Sequence, residues 1–327
     1  MVALGATALV ASACGAAGKA PSHGAGTRGA GTHGAGTPGS TSTPAAPGRE
    51  GIPAFRHLFV VVMENLSAAN ALAVPSIAAL AHQYASASSW YAASHPSLPN
   101  YLALVAGSTF GVGSDCTDCY QPPPSLADQL EQAGVPWGAY FEGMPGPCYL
   151  GPQSPDGSYA AKHDPFRYFT DVRASPTLCA HLQPLGALTD ALGAGDSAVP
   201  RFVWVTPSMC HSGHDCAPAV AGAWLSGFVQ SVVSRPWWGP GCALVVTWDE
   251  SEGDNAGVVG GLVTSGGGGG RVLTLVVSPG IAGGEVVATT YDHYSLLRTV
   301  EDAFGLPLLG QAAAAGTAPM TAFWAGG

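Results

Sequence analysis

Apolar runs of strand length are the feature that most constrains the fold of this 327-residue chain. They are nearly uninterrupted, as strands buried on both faces of a parallel sheet are. Helical patterns alternate with them, among them residues 75–89 and 291–304, and this alternation predicts a layered α/β fold. Residues 144–187 are predicted to be rich in loops, and the glycine-rich residues 260–270 are predicted to form a mobile loop. The predicted strands are His57–Met63, Val135–Phe141, Phe202–Val205, Ala243–Trp248 and Val272–Val277.

Polar side chains follow several of these strands at the point where each strand ends. Glu64-Asn65 and Asp249-Glu250 come directly after two of them. A third strand leads into a segment with His211, His214 and Asp215, and His293 follows the last strand. Ligands of open α/β sheets bind at the carboxyl edge, and oxygen ligands with imidazole suit a divalent cation. We therefore expect a metal site at this edge.

Ser97 lies in a proline-bordered turn, His95 to Tyr101, which runs into an apolar, helix-forming stretch. Pro99 fits the first turn of a helix, where a missing N–H costs nothing. A hydroxyl at a helix N-terminus suits an anionic phosphate. The residue types allow either a nucleophile or a simple helix cap. Beside a cation, the hydroxyl is a candidate nucleophile.

Composition narrows the functional class. Charged residues make up 10% of the chain, the net charge is −10, and Lys and Arg form no cluster, which argues against a nucleic-acid partner.

Seven of the eight cysteines lie beyond residue 100. In an exported protein most of these should form disulfides, and we expect at least two. The spacing allows Cys116–Cys119, Cys210–Cys216 and the longer Cys148–Cys179, which would leave Cys242 unpaired, and the connectivity stays open.

The N-terminal residues predict export. Residues 1–14 look like a signal peptide that ends in a lipobox-like sequence at Cys14, although ordinary secretion with cleavage nearby stays open. Residues 15–50 are a Gly/Ala/Thr/Pro tether with a short repeat, and residues 53–327 are a single domain. We expect a secreted protein, or one held at the outer face of the cell membrane only through a lipid anchor.

The motifs, in their order along residues 55–310, resemble those of the phosphoesterase family of secreted acid phosphatases and phospholipases C, within the alkaline-phosphatase superfamily. The resemblance rests on Val61–Asn65, Ser94–Leu104, Thr206–Asp215, Thr247–Glu250 and His293–Asp302. It implies a three-layer α/β sandwich with a central, mostly parallel sheet, alkaline-phosphatase-like. It also implies a divalent metal cation as cofactor.

The resemblance further implies roles for individual residues. Ser97 matches the nucleophile, and His214 and His293 match histidines around the phosphate or a second metal, either of which would protonate the leaving group. Phosphate contacts are expected from Asn100 and, more weakly, from His95, Lys162 and His163. The metal ligands are expected to be Glu64, Asn65, Asp249, Glu250 and Asp215.

These roles predict a phosphomonoesterase that forms a phosphoserine intermediate on a small phosphorylated substrate, a phospholipid or its head group included. Two alternatives stay open. One is a phosphodiesterase of the phospholipase C type. The other is a catalytically silent cell-surface binding protein, because Ser208 and Ser212 replace an Asn and an Asp or Asn of the family pattern.

Overall fold

The protein is described from a computed structural model, which covers residues 48–325. The predicted signal peptide and almost all of the predicted tether therefore lie outside the described residues. The strands are β1 (His57–Met63), β2 (Ala85–Ala87), β3 (Trp90–Tyr91), β4 (Trp137–Phe141), β5 (Leu182–Pro184), β6 (Phe202–Thr206), β7 (Cys242–Trp248), β8 (Gly257–Val259), β9 (Leu262–Thr264), β10 (Thr274–Val277), β11 (Val286–Val287) and β12 (Tyr291–Asp292).

Nine α-helices connect these strands within the described chain. They are α1 (Ala68–Leu72), α2 (Pro75–Gln83), α3 (Ser97–Ala106), α4 (Leu126–Gln132), α5 (Thr170–Ala174), α6 (Pro176–Cys179), α7 (Leu185–Ala194), α8 (Pro218–Val233) and α9 (His293–Phe304). Short 3₁₀ helices lie at Ala161–His163, Phe166–Tyr168, Asp196–Ala198, Gly310–Ala313 and Thr321–Phe323.

Eight strands form one sheet, in the order β11-β2-β10-β7-β1-β6-β4-β5. Only the two pairings of β10 are antiparallel, and the other five are parallel. Every residue of β1 and β7 is buried, so both faces of the sheet centre are covered. Helices α2 and α8 pack together, as do α3 and α9. The predicted α/β fold with a large, mostly parallel central sheet is confirmed.

Three local predictions need correction. The helix expected over residues 75–89 ends at Gln83, and Ala85–Ala87 pairs instead with β10 and β11, because small side chains fit a buried sheet position. The glycine-rich loop contains strand β9, which pairs with β8 just before the loop to form a hairpin that turns at Gly260-Gly261. The loop-rich stretch 144–187 carries the short helices α5 and α6 as well as β5.

The expected disulfides are confirmed. Cys116–Cys119, Cys148–Cys179 and Cys210–Cys216 are bonded, and Cys242 is a buried free thiol at the start of β7. The last bond closes the short loop that carries His211 and His214. The second joins segments 31 residues apart, and restricting such a loop in the unfolded chain stabilises the fold by roughly 3 kcal/mol.

Candidate active site

The hydroxyl of Ser97 lies at the start of α3, a helix whose ten residues are all buried. Pro96 is the N-cap and makes no side-chain cap hydrogen bond. The Ser97 Oγ donates to Glu64 Oε2 at 3.2 Å and is 3.4 Å from Glu250 Oε1. The hydroxyl therefore points at two carboxylates instead of capping its own helix.

Three acids meet at one sheet edge because β1 and β7 are parallel neighbours. Their register pairs Met63 with Trp248, which places Glu64 level with Asp249, and Glu250 follows. The backbone N–H of Asp249 donates to the Met63 carbonyl at 2.9 Å and extends this pairing by one residue. All three acids are buried. The strand ends thus concentrate negative charge beside Ser97.

Burial makes ionisation of these acids costly. It raises the pKa of Glu64 to about 7, although a hydrogen bond from Tyr101 opposes the shift. Burial, together with repulsion from Glu64 and Glu250, raises the pKa of Asp249 well above its usual range. The pKa of Glu250 is raised by burial too, against the opposing hydrogen bond to His95. Nearby positive charge would relieve all three shifts.

A divalent cation fits this group of acids. Among the described residues no Lys or Arg forms a salt bridge with them, and the side-chain nitrogens nearest to their carboxylates belong to His95 and His163. Asp249 Oδ1 accepts from the backbone N–H groups of Asn65 and Glu250 at 2.9 and 2.7 Å, whereas its buried Oδ2 has no partner. Carboxylate oxygens are the ligands that hard cations prefer. Glu64, Asp249 and Glu250 are therefore suited to hold one.

Two histidines extend the group. The ligand atoms of Glu64, His163 and His214 lie within 4.8 Å of one another. His163 Nε2 is 3.1 Å from Glu64 Oε1 and makes no hydrogen bond. Burial, with the charge of Lys162 nearby, lowers the pKa of His163 well below its usual value, so the ring is neutral. A neutral ring offers a lone pair to a cation.

His214 is oriented by its neighbour in sequence. Its Nδ1 lies 2.7 Å from Asp215 Oδ1, and its Nε2 accepts from Lys162 Nζ at 2.8 Å. The Asp215 carboxylate is 56% exposed and lies on the outer side of the ring. Asp215, expected as a ligand, contacts His214 here, and such a carboxylate can orient an imidazole ring.

Lys162 reaches the site from the 3₁₀ helix Ala161–His163, and only 17% of its side chain is exposed. Besides His214, its Nζ donates to Asp115 Oδ2 at 3.0 Å. Asp115 Oδ1 accepts from the backbone N–H of Leu98, in the first turn of α3, also at 3.0 Å. The Asp115 carboxylate therefore occupies two donors, the Leu98 N–H and the Lys162 ammonium. Groups of both kinds also bind phosphate in proteins.

The other two predicted histidines have both ring nitrogens engaged. His293 Nε2 donates to the Asp249 carbonyl at 2.7 Å, and its Nδ1 accepts from Trp90 Nε1 at 3.3 Å. Burial lowers the pKa of His293 to about 4, so this ring is neutral. His95 contacts Glu250 Oε2 and the Asp254 carbonyl. Burial lowers its pKa, but these two bonds outweigh the effect and raise it overall.

The two predicted asparagines shape the backbone of the site. Asn100 Oδ1 accepts from the N–H groups of Ala93 and Ser94, and its Nδ2 donates to the carbonyls of Ser94 and Pro96. The side chain is completely buried and has no atom left for a phosphate. Asn65 has a φ of +50°, a conformation that asparagine tolerates, which turns its N–H toward Asp249.

Tyr101 and Asp115 were not predicted as site residues. The Tyr101 hydroxyl donates to Glu64 Oε1, and its ring stacks on His163 with centroids 5.3 Å apart. Its position four residues after Ser97, on the same helix face, was a usable signal. Asp115 lies in an irregular loop next to a disulfide, where no pattern marks it.

Ser208 and Ser212, the two departures from the family pattern, stabilise the loop that carries His214. Ser208 Oγ accepts from the His211 N–H at 3.3 Å, and Ser212 Oγ donates to the Met209 carbonyl at 3.3 Å. Neither hydroxyl contacts the carboxylates, although the Ser212 carbonyl accepts from the Glu64 backbone N–H at 3.1 Å. Of the predicted residues, the structure thus brings together Ser97, Glu64, Asp249, Glu250, His163 and His214, with Lys162 and His95 beside them.

Comparisons with known proteins show the family and the fold of this chain. A "Probable acid phosphatase" of Kluyveromyces lactis is 28% identical over 79% of this chain, which spans 60% of that protein's length. A "Phosphatidylinositol-3-phosphatase" of Mycobacterium tuberculosis is 30% identical, over 84% of both chains. The crystal structure of the lipoteichoic acid synthase LtaP from Listeria monocytogenes, 10% identical, superposes with a TM-score of 0.53 over 82% of this chain and 75% of that one, which shows a shared fold. The model of the Phosphoesterase family matches residues 52–307, and the chain belongs to that family.

Proposed function

We propose that this protein is a metal-dependent phosphomonoesterase that acts through a phosphoserine at Ser97. The observation that carries the proposal is the Ser97 hydroxyl, which is buried at a helix start and directed at Glu64 and Glu250. A serine that merely capped its helix would accept from the backbone N–H groups that follow it. The names of its relatives, acid phosphatase and phosphatidylinositol-3-phosphatase, support the same class of reaction.

The cation would be held by Glu64, Asp249 and Glu250, with His163 as the adjoining nitrogen donor. When bound, it would neutralise the carboxylates, polarise phosphate oxygens and favour the ionised form of a neighbouring hydroxyl. The raised pKa values of these three carboxyl groups support this assignment. They show that the described residues do not compensate the negative charge that the ionised acids would carry.

The chain's own residues account for the remaining steps. Ser97 Oγ attacks phosphorus in line, the bond to the leaving oxygen breaks, and the hydroxyl proton passes to Glu64 or Glu250. Lys162 attracts the phosphate and lies next to His214, and the protonated form of the His214 ring gives its Nε2 proton to the leaving oxygen. Water then attacks phosphorus and passes one proton to His214. The bond from phosphorus to Ser97 Oγ breaks, phosphate is released, and the carboxylic acid returns its proton to Ser97. His293 and Asn100 position the acids and the Ser97 turn.

The substrate class is a small phosphate monoester, a phospholipid head group included. Export is part of the proposal as well, either as a freely secreted protein or as one with a lipid anchor. Three disulfides support it, because such bonds persist in oxidising compartments. Among the described residues, no helix is long and apolar enough to cross a membrane.

Substitution of Ser97 by Ala tests the nucleophile. Turnover of a chromogenic phosphomonoester, 4-nitrophenyl phosphate, should fall by roughly a thousandfold or more. Folding should be almost unchanged, because losing one hydrogen bond costs only about 1 kcal/mol. Ser175→Ala is the matched control, since Ser175 caps α6 outside the site, and it should keep full turnover.

Three outcomes would contradict the proposal. Normal turnover by a folded Ser97→Ala variant would exclude the nucleophile. Faster hydrolysis of bis(4-nitrophenyl) phosphate than of the monoester by the wild-type protein would favour the phospholipase C type. Hydrolysis of neither ester by protein with a full complement of metal, measured by mass spectrometry, would favour a binding protein.

A further inference from the structure

The hairpin β8–β9 carries three of the eight exposed large apolar side chains of the described chain. Val259 and Leu262 are 69% and 74% exposed, the highest values among its large apolar side chains, and Val263 is 48% exposed. Val259 and Leu262 are cross-strand partners, so they stand side by side on one face. Clustered exposure of this kind marks an interaction surface, whereas isolated exposed residues do not.

The hairpin is fixed in place despite its glycines. Gly260 and Gly261, with φ of +58° and +83°, form the two-residue turn. This turn packs against the backbone at Gly316, where a Cβ on Gly316 would lie 2.4 Å from the Gly260 carbonyl carbon. Because the turn packs closely against the backbone of Gly316, Val259 and Leu262 remain exposed to solvent.

The stem of the hairpin is bonded to the segment that precedes the nucleophile. Gly269 donates to the Ala92 carbonyl at 3.0 Å, and Ser251, next to Glu250, donates to the Gly269 carbonyl at 2.8 Å. The carbonyl of Asp254, before β8, accepts from His95 at 2.9 Å. The residues that flank the hairpin are therefore bonded to segments that adjoin Glu250 and Ser97, so a surface bound at the tip would be held by a support that is connected to the site.

The charge pattern identifies the partner. No residue from Asn255 to Gly270 is charged, in a chain whose net charge is −10. An anionic surface would repel such a chain, and a basic anchor for one is absent from the hairpin. An apolar pair on an uncharged support fits a surface that is electrically neutral and offers hydrocarbon at shallow depth, as a zwitterionic lipid bilayer does.

We infer that Val259 and Leu262 insert into the interface of a neutral phospholipid surface and hold the site against it, so that the substrate is the phosphate monoester of a membrane lipid. This inference rests on the proposed function for its chemistry, but the binding step does not depend on catalysis. Its experiment therefore measures binding separately from turnover.

The test is cosedimentation of the full-length protein with phosphatidylcholine vesicles. The wild-type protein should bind, and the double variant Val259→Ser/Leu262→Ser should bind roughly 10- to 100-fold more weakly, since two apolar side chains no longer leave water. The matched control is Leu72→Ser/Val286→Ser, which alters two other exposed apolar residues, 46% and 61% exposed, and should bind like wild type. Mixing phosphatidylserine into the vesicles should weaken wild-type binding.

Activity assays complete the experiment. The hairpin variant should hydrolyse soluble 4-nitrophenyl phosphate at the wild-type rate, yet hydrolyse phosphatidic acid in phosphatidylcholine vesicles at least several-fold more slowly. Absence of vesicle binding by the wild-type protein, or equal binding by the hairpin variant, would overturn the inference. So would a wild-type dimer that the hairpin variant loses in light scattering, because the partner would then be a second copy. An inactive protein that still binds through the hairpin would contradict only the proposed function.

Discussion

Asp115 shows how one side chain sets the electrostatics of the site. Its two carboxylate oxygens bind the Leu98 N–H and the Lys162 ammonium, both at 3.0 Å. These are the groups that would otherwise attract an incoming phosphate. Asp115 is an anion already present at the mouth of the site, with 28% of its side chain exposed, and it competes with the substrate for the same donors.

Substitution of Asp115 by Asn should therefore strengthen phosphate binding. The amide keeps an acceptor for the Leu98 N–H but removes a negative charge, so the inhibition constant of inorganic phosphate should fall roughly tenfold. Inhibition of 4-nitrophenyl phosphate hydrolysis measures it. Asp118→Asn, an exposed acid in the same disulfide loop, is the control and should leave the constant unchanged. Weaker phosphate binding by Asp115→Asn would instead mean that Asp115 is needed to position Lys162.

At the scale of elements, α3 and the segment before it depend on Asn100. One side chain in the first turns of the helix makes four hydrogen bonds, at 2.8–3.0 Å, to backbone groups between Ala93 and Pro96. Ala92, directly before this segment, accepts the Gly269 hydrogen bond of the hairpin stem. The geometry of the Ser97 turn is therefore fixed from inside its own helix.

Substitution of Asn100 by Asp should damage both stability and activity. It removes the two donors to the Ser94 and Pro96 carbonyls, and each buried acceptor left without a partner costs about 1–3 kcal/mol. We expect a lower melting temperature and at least a tenfold loss of turnover, measured on one preparation. Asn70→Asp, in an exposed position of α1, is the control. A variant that melts and turns over like wild type would show that Asn100 does not hold the turn.

At the scale of the whole molecule, buried acids couple folding to pH. Burial raises the pKa of Glu301, in α9, to about 8. Its Oε1 accepts from the Leu309 N–H at 2.9 Å, while its Oε2 and the buried Oε1 of Gln129 have no partner. A protonated Glu301 would donate to Gln129 and satisfy both oxygens. The fold therefore favours the neutral acid.

The sign of the pH effect follows from proton binding. Between the unfolded pKa of 4.5 and the folded pKa of about 8, the folded chain holds the Glu301 proton and the unfolded chain does not. The free energy of unfolding should thus fall as the pH rises through this range, by up to about 1.4 kcal/mol per pH unit for one group. The metal-free protein should melt at a higher temperature at pH 5 than at pH 8.

Glu301→Gln tests this prediction, because the amide keeps the acceptor for Leu309, supplies a donor to Gln129 and does not titrate. Melting temperatures in the presence of a chelator should depend less on pH in this variant than in wild type. Glu252→Gln, at an exposed position, should reproduce the wild-type profile. An unchanged pH dependence in Glu301→Gln would show that this group is ionised in the folded protein.

The sequence alone determined the sheet centre and most of the residues around Ser97. Strands β1, β6 and β7 could be predicted because a sheet that is covered on both faces needs continuous apolar runs. Their polar ends marked Glu64, Asp249 and Glu250, since the carboxyl ends of parallel strands share one edge. The disulfides could be predicted from cysteine spacing.

Only the tertiary structure decided what each polar atom does. Asn100 and His293 have the residue types of ligand contacts, yet the backbone before Ser97 occupies the Asn100 amide, and the Asp249 carbonyl and the Trp90 indole occupy the His293 ring. Tyr101, Asp115 and the hairpin gained their roles from neighbours 37, 47 and more residues away. Sequence patterns report periodic burial, which is local, whereas the partner of a hydrogen bond depends on how distant segments pack, and no local pattern encodes that.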